Sequence, residues 1–313
     1  MGQKVGQLLV GLSLTVILVV MLGCGQKDAK EINLNDTKRL DSCPSELQGA
    51  SLRIAMGSMI TPKEGYFYYE KIKRYLEGEL GRPVQLIDRG NYGEVNQLLK
   101  TAGADAAFVC AGPYVEGRAE FGLELLAMPV VNGKPEYCSY LIVHKDSKMK
   151  TYADLRGKSF AFSDPQSNSG KIVPTFLLSR MNETPGSFFR KFIYTYSHDK
   201  SIRVVAEQMV DGAAVDSLVF DHLAKNNPEY TSQLKIIQKS LPYGIPPVVV
   251  RPGLPAETKE RLRTIFLRMH ENSTGAGILK GMNIDKFVAG DDSSYNSIRE
   301  MKRSLGQQQR EKR

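Results

Sequence analysis

The chain is poor in cysteine and histidine, with four of each in 313 residues, and that scarcity narrows what it can be. Cys24 closes an amino-terminal apolar run. The cysteines that remain, Cys43, Cys110 and Cys138, are odd in number and exclude a full disulfide framework. Cys110 and Cys138 each sit at the end of an apolar, strand-like run, so one bridge between them is conceivable, although free and partly buried thiols are the expectation. No cysteine or histidine spacing matches a zinc site, and neither metal nor cofactor is expected. No internal repeat is present. The chain also lacks concentrated charge. Its 42 basic and 34 acidic residues leave +8. Removing the amino-terminal run, whose single charge is Lys4, lowers this by one. The basic residues are scattered among acids except in the tail Arg310-Glu311-Lys312-Arg313, which argues against nucleic acid as a partner. A mild basic surplus suits attraction of a small anion without specifying one.

One long apolar run exists, Val5 to Gly23, preceded by Lys4. A basic start and an apolar centre are the marks of a secretory signal, and the run is barely long enough for the ~30 Å core of a bilayer. It ends Val20-Met21-Leu22-Gly23-Cys24, which resembles the bacterial lipobox with Met21 where leucine is commoner. That chemistry needs a thiol as lipid acceptor and a small residue before it to fit the peptidase. Residues 1–23 are therefore expected to be a lipoprotein signal, Cys24 the lipidation site, and residues 24–50 a polar tether. Two ester-linked chains and an N-acyl chain would anchor the protein firmly in a membrane. An uncleaved spanning anchor would leave the rest of the chain on the same side. Fold reasoning starts near Ser51, and the roughly 260 residues beyond it suffice for two lobes of ordinary domain size.

Strands and helices alternate from there. Leu52–Met56 reads as a strand, followed by a loop through Ile60, Thr61 and Pro62. Apolar residues at Tyr68, Ile72, Tyr75, Leu76 and Leu80 predict a helix stopped by Gly81 and Pro83. Val84–Ile87 is a strand, Glu94–Thr101 a helix, and Ala106–Cys110 a buried strand that breaks at Gly112-Pro113. This order implies a parallel sheet with helices on both faces. The pattern then resets: strands at Tyr140–Val143 and Lys158–Phe162, a helix over Lys171–Met181, a strand at Phe192–Tyr196, a helix over Ile202–Val210 and a strand over Gly212–Val219. Leu234–Ile237 continues the set before Pro246–Val250 returns the chain.

The most informative stretch is Phe162-Ser163-Asp164-Pro165-Gln166-Ser167-Asn168-Ser169-Gly170, between a strand and a helix. In open α/β sheets ligands sit at the carboxyl ends of strands, where the next helix presents unpaired N–H groups and partial positive charge. Ser167, Asn168 and Ser169 add hydroxyl or amide donors, and Gly170 admits close approach of a bulky oxyanion. An ordinary Ser/Asn helix cap has the same spacing, so the residues alone leave both readings open.

Asp-Pro-x-Ser-x-Ser-Gly followed by an apolar helix with Pro174 resembles the phosphate/phosphite/phosphonate-binding proteins of ABC importers, the PhnD-like family. The resemblance covers most of the chain beyond the tether. It extends to Met59–Glu64, Tyr92–Asn96, Ala107–Tyr114, Ser197–Ser201, Val210–Ser217, Gly244–Val250 and Phe287–Asp292, in that order. Each segment is weak alone, but together and in sequence they are specific. The resemblance implies an α/β, two-lobed periplasmic-binding-protein fold of type II, each lobe a mixed sheet flanked by helices. Lobe 1 would comprise residues 51–138 plus 245–313 and lobe 2 residues 139–244, closing about crossing segments near Tyr137–Val143 and Leu241–Val250. It implies a small phosphorus oxyanion as ligand, an ABC importer permease as partner, and a monomer.

By position, Ser167, Asn168, Ser169 and Gly170 would hold the phosphoryl oxygens. His198 falls at a ligand-facing place and could donate through either ring nitrogen, or carry charge at mildly acidic pH. His144, His222 and His270 read as surface or packing residues. Asp216, at the end of an apolar strand, could accept the O–H of a protonated oxyanion and so reject sulfate, or could simply cap a helix. Thr61 and Tyr92 are the leading contacts from the facing lobe, with Ser58, Tyr66 and Tyr243 behind them. Leu218 is apolar and no second acid stands in these motifs, which leans toward phosphate, phosphite or a small alkyl phosphonate rather than an aminoalkyl one. Two other readings stay open: a thiol-dependent enzyme using Cys110 with His198 as base, and an oxyanion sensor for a signalling partner.

Overall fold

A computed structural model describes residues 50–57 and 62–311. The lipobox, Cys24, Cys43, Ser58 and Thr61 lie outside the described residues. Among the described residues, no helix is long and apolar enough to cross a membrane. The strands are β1 (Leu52–Gly57), β2 (Val84–Arg89), β3 (Ala106–Phe108), β4 (Glu124–Val130), β5 (Glu136–Tyr137), β6 (Ser139–His144) and β7 (Ser159–Phe162). They continue with β8 (Lys191–Tyr194), β9 (Gly212–Asp216), β10 (Leu234–Lys239), β11 (Tyr243–Gly244), β12 (Val248–Val250) and β13 (Lys286–Ala289).

Two mixed sheets carry the two lobes. The first has six strands in the order β13-β4-β12-β3-β1-β2, and the second has five in the order β10-β6-β9-β7-β8. In the first, β1 runs parallel to β2 and β3, while β12 is antiparallel to β3 and β4. In the second, β7 is parallel to β8 and β9, and β6 is antiparallel to β9 and β10. The parallel strands are the ones the βαβ pattern predicts. β6 and β12, the strands that follow the two crossings between lobes, each run antiparallel to both neighbours.

Helices cover both faces of each sheet, so the inner strands β3, β7, β9 and β12 are buried on both sides and read as nearly continuous apolar runs, while the edge strands β2, β8, β10 and β13 stay partly exposed. Alternation divides each run between two cores. In the first lobe Ile54, Phe108, Val248 and Val250 pack into one core, while Ala55, Ala107 and Val249 pack into the opposite one. In the second, Ile142, Ala213 and Val215 face one core and Leu141, Val143, Phe160 and Phe162 the other. The chain crosses between lobes twice, and the crossings pair as the antiparallel ribbon β5–β11, with Tyr137 opposite Tyr243.

Several boundaries differ from the sequence reading for identifiable reasons. The first helix begins at Pro62, six residues before its apolar stripe, because proline lacks the N–H that a first turn leaves unused anyway. Gly112-Pro113 does not end a strand into a loop but opens a helix, Ala111–Phe121. Gly112 is needed there: a Cβ would collide with the Gln166 carbonyl and stand 3.1 Å from Asn168 N in the facing lobe. The strand expected over Gly212–Val219 stops at Asp216, and a helix Ser217–Asn226 begins at once. The helix expected from Ile202 starts at His198, capped by Ser197.

Candidate functional site

Where β7 ends, Asp164-Pro165-Gln166-Ser167 leads into a π turn, Asn168–Ile172, and then the helix Val173–Arg180. Pro174 has no N–H to return to the Gly170 carbonyl. The turn widens to i→i+5 bonding, with Ile172 N donating to Ser167 O at 2.9 Å. Ser167 is the N-cap, its Oγ accepting from Gly170 N at 3.0 Å. The helix-cap reading of this motif is observed at Ser167, and the turn it creates lies where the two lobes meet. A Cβ on Gly170 would run into Ser163 Oγ and approach His198 Cε1 to 3.1 Å, so glycine is required for packing at this point.

Around the turn, Tyr92, Ser167, Asn168, Ser169, His198 and Asp216 are all only 0–2% exposed. Yet Tyr92 Oη, Ser163 Oγ, Asn168 Oδ1, Ser169 Oγ, His198 Nε2 and Asp216 Oδ2 have no hydrogen-bond partner. An unsatisfied buried polar group is unfavourable by about 1–3 kcal/mol, so native structures keep few of them. A concentration of them at one place between two lobes marks a site built for a polar ligand.

The arrangement of His198 and Asp216 fixes their chemistry. The backbone N–H of Asp216 donates to His198 Nδ1 at 3.1 Å. A peptide N–H can only donate, so Nδ1 is bare and the proton sits on Nε2. Burial drives the imidazole pKa down to about 3. This corrects the expectation of a donor at either nitrogen or a charge in mild acid: His198 is a neutral donor through Nε2 alone. Of the two roles considered for Asp216 in the sequence, the helix cap is observed, and it leaves one carboxylate oxygen over. Oδ1 caps the following helix, accepting from Leu218 N at 2.7 Å, while Oδ2 remains free and buried. Burial pushes its carboxyl up to about 7.

The lobes meet through Asp164, whose Oδ2 accepts from Tyr92 N of the facing lobe at 3.1 Å and whose Oδ1 accepts from Gln166 N at 2.8 Å. The crossing ribbon touches the site as well. Asn168 Nδ2 donates to Tyr137 Oη at 3.0 Å, and Ser139 Oγ donates to the Ser169 carbonyl at 2.7 Å. Ser163, Asp164, Tyr137 and Ser139 were not singled out from sequence. The first two stand inside the motif, and Tyr137 begins the crossing segment, so both signals were present.

Lys171 turns away, its ammonium 3.8 Å from the centroid of the Phe162 ring. Tyr66 is 46% exposed, and Tyr243 Oη donates to Met301 Sδ at 3.6 Å, so neither joins the cluster. Cys110 and Cys138 are free thiols. Cys110 Sγ lies 4.0 Å from Tyr137 Oη, and burial pushes its thiol up to about 11, the opposite of what a nucleophile needs.

The family model for the periplasmic substrate-binding protein of ABC phosphonate transporters matches residues 54–295. The chain belongs to that family. The phosphonates-binding periplasmic protein of Escherichia coli (strain K12) is 27% identical over 231 residues, 72% of this chain and 68% of that protein. A binding-protein component of an ABC phosphonate transporter from Pseudomonas aeruginosa superposes with a TM-score of 0.77 at 26% identity, covering 82% of this chain and 86% of its own. PhnD1 from Prochlorococcus marinus, solved with methylphosphonate, shares the fold with a TM-score of 0.75 at 20% identity over 82% of this chain and 98% of its own. The type II two-lobed fold is thus established, and family membership places this substrate-binding protein outside the cytoplasm as a component of ABC transport.

Proposed function

We propose that the chain captures a small phosphorus oxyanion by closing its lobes and delivers it to an ABC importer, held at the membrane through lipidated Cys24. The observation that carries this reading is the cluster of buried, unpartnered polar atoms around the π turn: donors at Tyr92, Ser163, Ser169 and His198, with two acceptors, Asp216 Oδ2 and Asn168 Oδ1, among them. Ser169, Ser163, His198 Nε2–H and Tyr92 donate to phosphoryl oxygens, Asn168 lies beside them, and Gly170 lets the backbone come close. Ser167 holds the turn in shape. Asp216 Oδ2 shares one proton with the oxyanion. Residues 51–138 with 245–313 and residues 139–244 move as the two lobes about the ribbon β5–β11, and Thr61 joins from the first lobe. Burial of the bonds strengthens them, and each charge-assisted one contributes roughly 1.5–3 kcal/mol. Five or six such bonds, near the upper end of that range, are on the order of what the about 8 kcal/mol of micromolar binding requires after ordering costs.

The test is calorimetric titration of the purified chain in detergent with phosphate, phosphite, methylphosphonate and sulfate. Stoichiometric binding of a phosphorus anion is expected, with sulfate weaker and increasingly so above about pH 7. Silence across the panel from folded, ligand-free protein refutes the reading. Mass analysis of the membrane-bound amino-terminal peptide tests the anchor, and Cys24→Ser should release the chain from the diacyl modification.

A further inference from the structure

Beside the donor cluster lies a second, chemically different space. A cavity of about 140 Å³ sits between the lobes, walled by Tyr69, Phe108, Ile245 and Val248 from the first lobe and Leu218 and Val219 from the second. Asp216 forms part of the same wall, so the cavity adjoins the carboxylate that faces the oxyanion. Natural cores keep few voids larger than a water molecule, and this one is not inside either core but at the seam where they meet. An apolar cavity of about 150 Å³ stays dry and accepts a molecule the size of benzene. At its solvent edge the lobes are joined by Asn283, whose Nδ2 lies 2.9 Å from His222 Nδ1 and whose Oδ1 accepts from Lys225 Nζ at 3.1 Å. Met282 and Ile284, on either side of Asn283, line the cavity too.

We propose that this compartment receives the organic substituent of a phosphonate, which makes the preferred ligand an alkyl- or arylphosphonate of about three to seven carbons. The inference rests on the oxyanion reading above and deepens it. With the phosphoryl oxygens on Ser169, His198 and Asp216, the carbon bonded to phosphorus points along the wall past Asp216 to Leu218 and Val219. A phosphate or phosphite leaves this space without apolar contact. An ammonium carried past Asp216 would lose its water against Leu218, Val219 and Phe108, which is unfavourable. Leu218 occupies the deciding position, because its backbone N–H holds Asp216 in place while its side chain lines the compartment.

The experiment is a calorimetric series on the full chain with phosphite, phosphate, methyl-, ethyl-, propyl- and phenylphosphonate and 2-aminoethylphosphonate. Each buried methylene should tighten binding about fourfold, so propylphosphonate should exceed methylphosphonate about fifteenfold. The heat-capacity change of binding should become more negative along the same series, a readout that needs no variant. Ile284→Phe, which fills the space from the wall away from Asp216, should reduce propyl- and phenylphosphonate to the affinity of methylphosphonate and leave phosphite unchanged. Phosphite, phosphate or 2-aminoethylphosphonate binding as tightly as propylphosphonate would overturn the compartment while leaving oxyanion capture standing. Failure of every phosphorus anion to bind would instead overturn the capture reading itself.

Discussion

Rejection of sulfate should depend on pH through one carboxylate. Asp216 Oδ1 is occupied by Leu218 N–H, so only Oδ2 can meet the ligand. That oxygen and the facing ligand oxygen need one proton between them. A singly protonated phosphonate supplies it; sulfate cannot. Burial sets the carboxyl at about 7. Below that pH Asp216 carries its own proton and can donate to sulfate. Above it, two acceptors face each other. Sulfate affinity should therefore be nearly flat below about pH 7 and fall about tenfold per pH unit above it, since one unit is about 1.4 kcal/mol. By about pH 9 the loss is on the order of a hundredfold. Asp216→Asn keeps the helix cap through its carbonyl and places an amide donor where Oδ2 was. It should bind sulfate with no pH slope and bind it best relative to the wild type at high pH. Calorimetric titration of sulfate against methylphosphonate from about pH 6 to about pH 9 reads both effects. A flat wild-type profile, or the same slope in the Asn variant, refutes the shared-proton argument.

Three further outcomes follow from the same geometry. In the ligand-free chain, His198 has a folded pKa of about 3, below its unfolded value, so its contribution to stability is present above about pH 6.5 and lost as pH falls toward 3; thermal melts in acid should show His198→Gln losing less stability than the wild type. Gly170→Ala should destabilise by about 1–3 kcal/mol through the clash with Ser163 Oγ, and adding Ser163→Gly should restore part of it in denaturant titrations. Asp164→Asn weakens the inter-lobe bond from Tyr92 N, and ligand affinity should drop about five- to tenfold, as for a charge-assisted bond made neutral, with a faster off-rate in stopped-flow measurements.

Much of the fold was legible because each lobe is a βαβ array whose inner strands are apolar on both faces. Leu52–Met56, Val84–Ile87 and Tyr140–Val143 could be read as strands without knowing what they packed against. What escaped the sequence reading depends on partners remote in the chain. Gly112 and Pro113 signal a break locally, yet they open a helix because the facing lobe comes so near that only glycine fits. Val215-Asp216-Ser217-Leu218-Val219 reads as one apolar strand, and the carboxylate that caps its own successor ends the strand at Asp216, three residues before Val219. The anion motif was legible because turn, cap and glycine are contiguous. Asp164 reaching Tyr92 was not, since 72 residues separate them.

The crossing ribbon gives the site its mechanical meaning. Tyr137 belongs to β5, on the path between lobes, and its hydroxyl holds the Asn168 amide inside the second lobe. Ser139 follows two residues later and holds the Ser169 carbonyl. The π turn is thus fastened to the hinge and not only to its own helix. A turn fastened in this way cannot shift to suit an ill-fitting ligand without disturbing the ribbon about which the lobes rotate. On the proposed closure, rotation that brings Asp164 to Tyr92 N would be the motion that covers Ser169, His198 and Asp216, which the structure shows joined and buried. Ligand fit and closure are then one equilibrium rather than two: a ligand that satisfies the buried donors favours the closed arrangement by its differential contacts alone. Leaving those donors partly unsatisfied disfavours closure by about 1–3 kcal/mol for each one, and that difference is large enough to decide which anion the lobes retain.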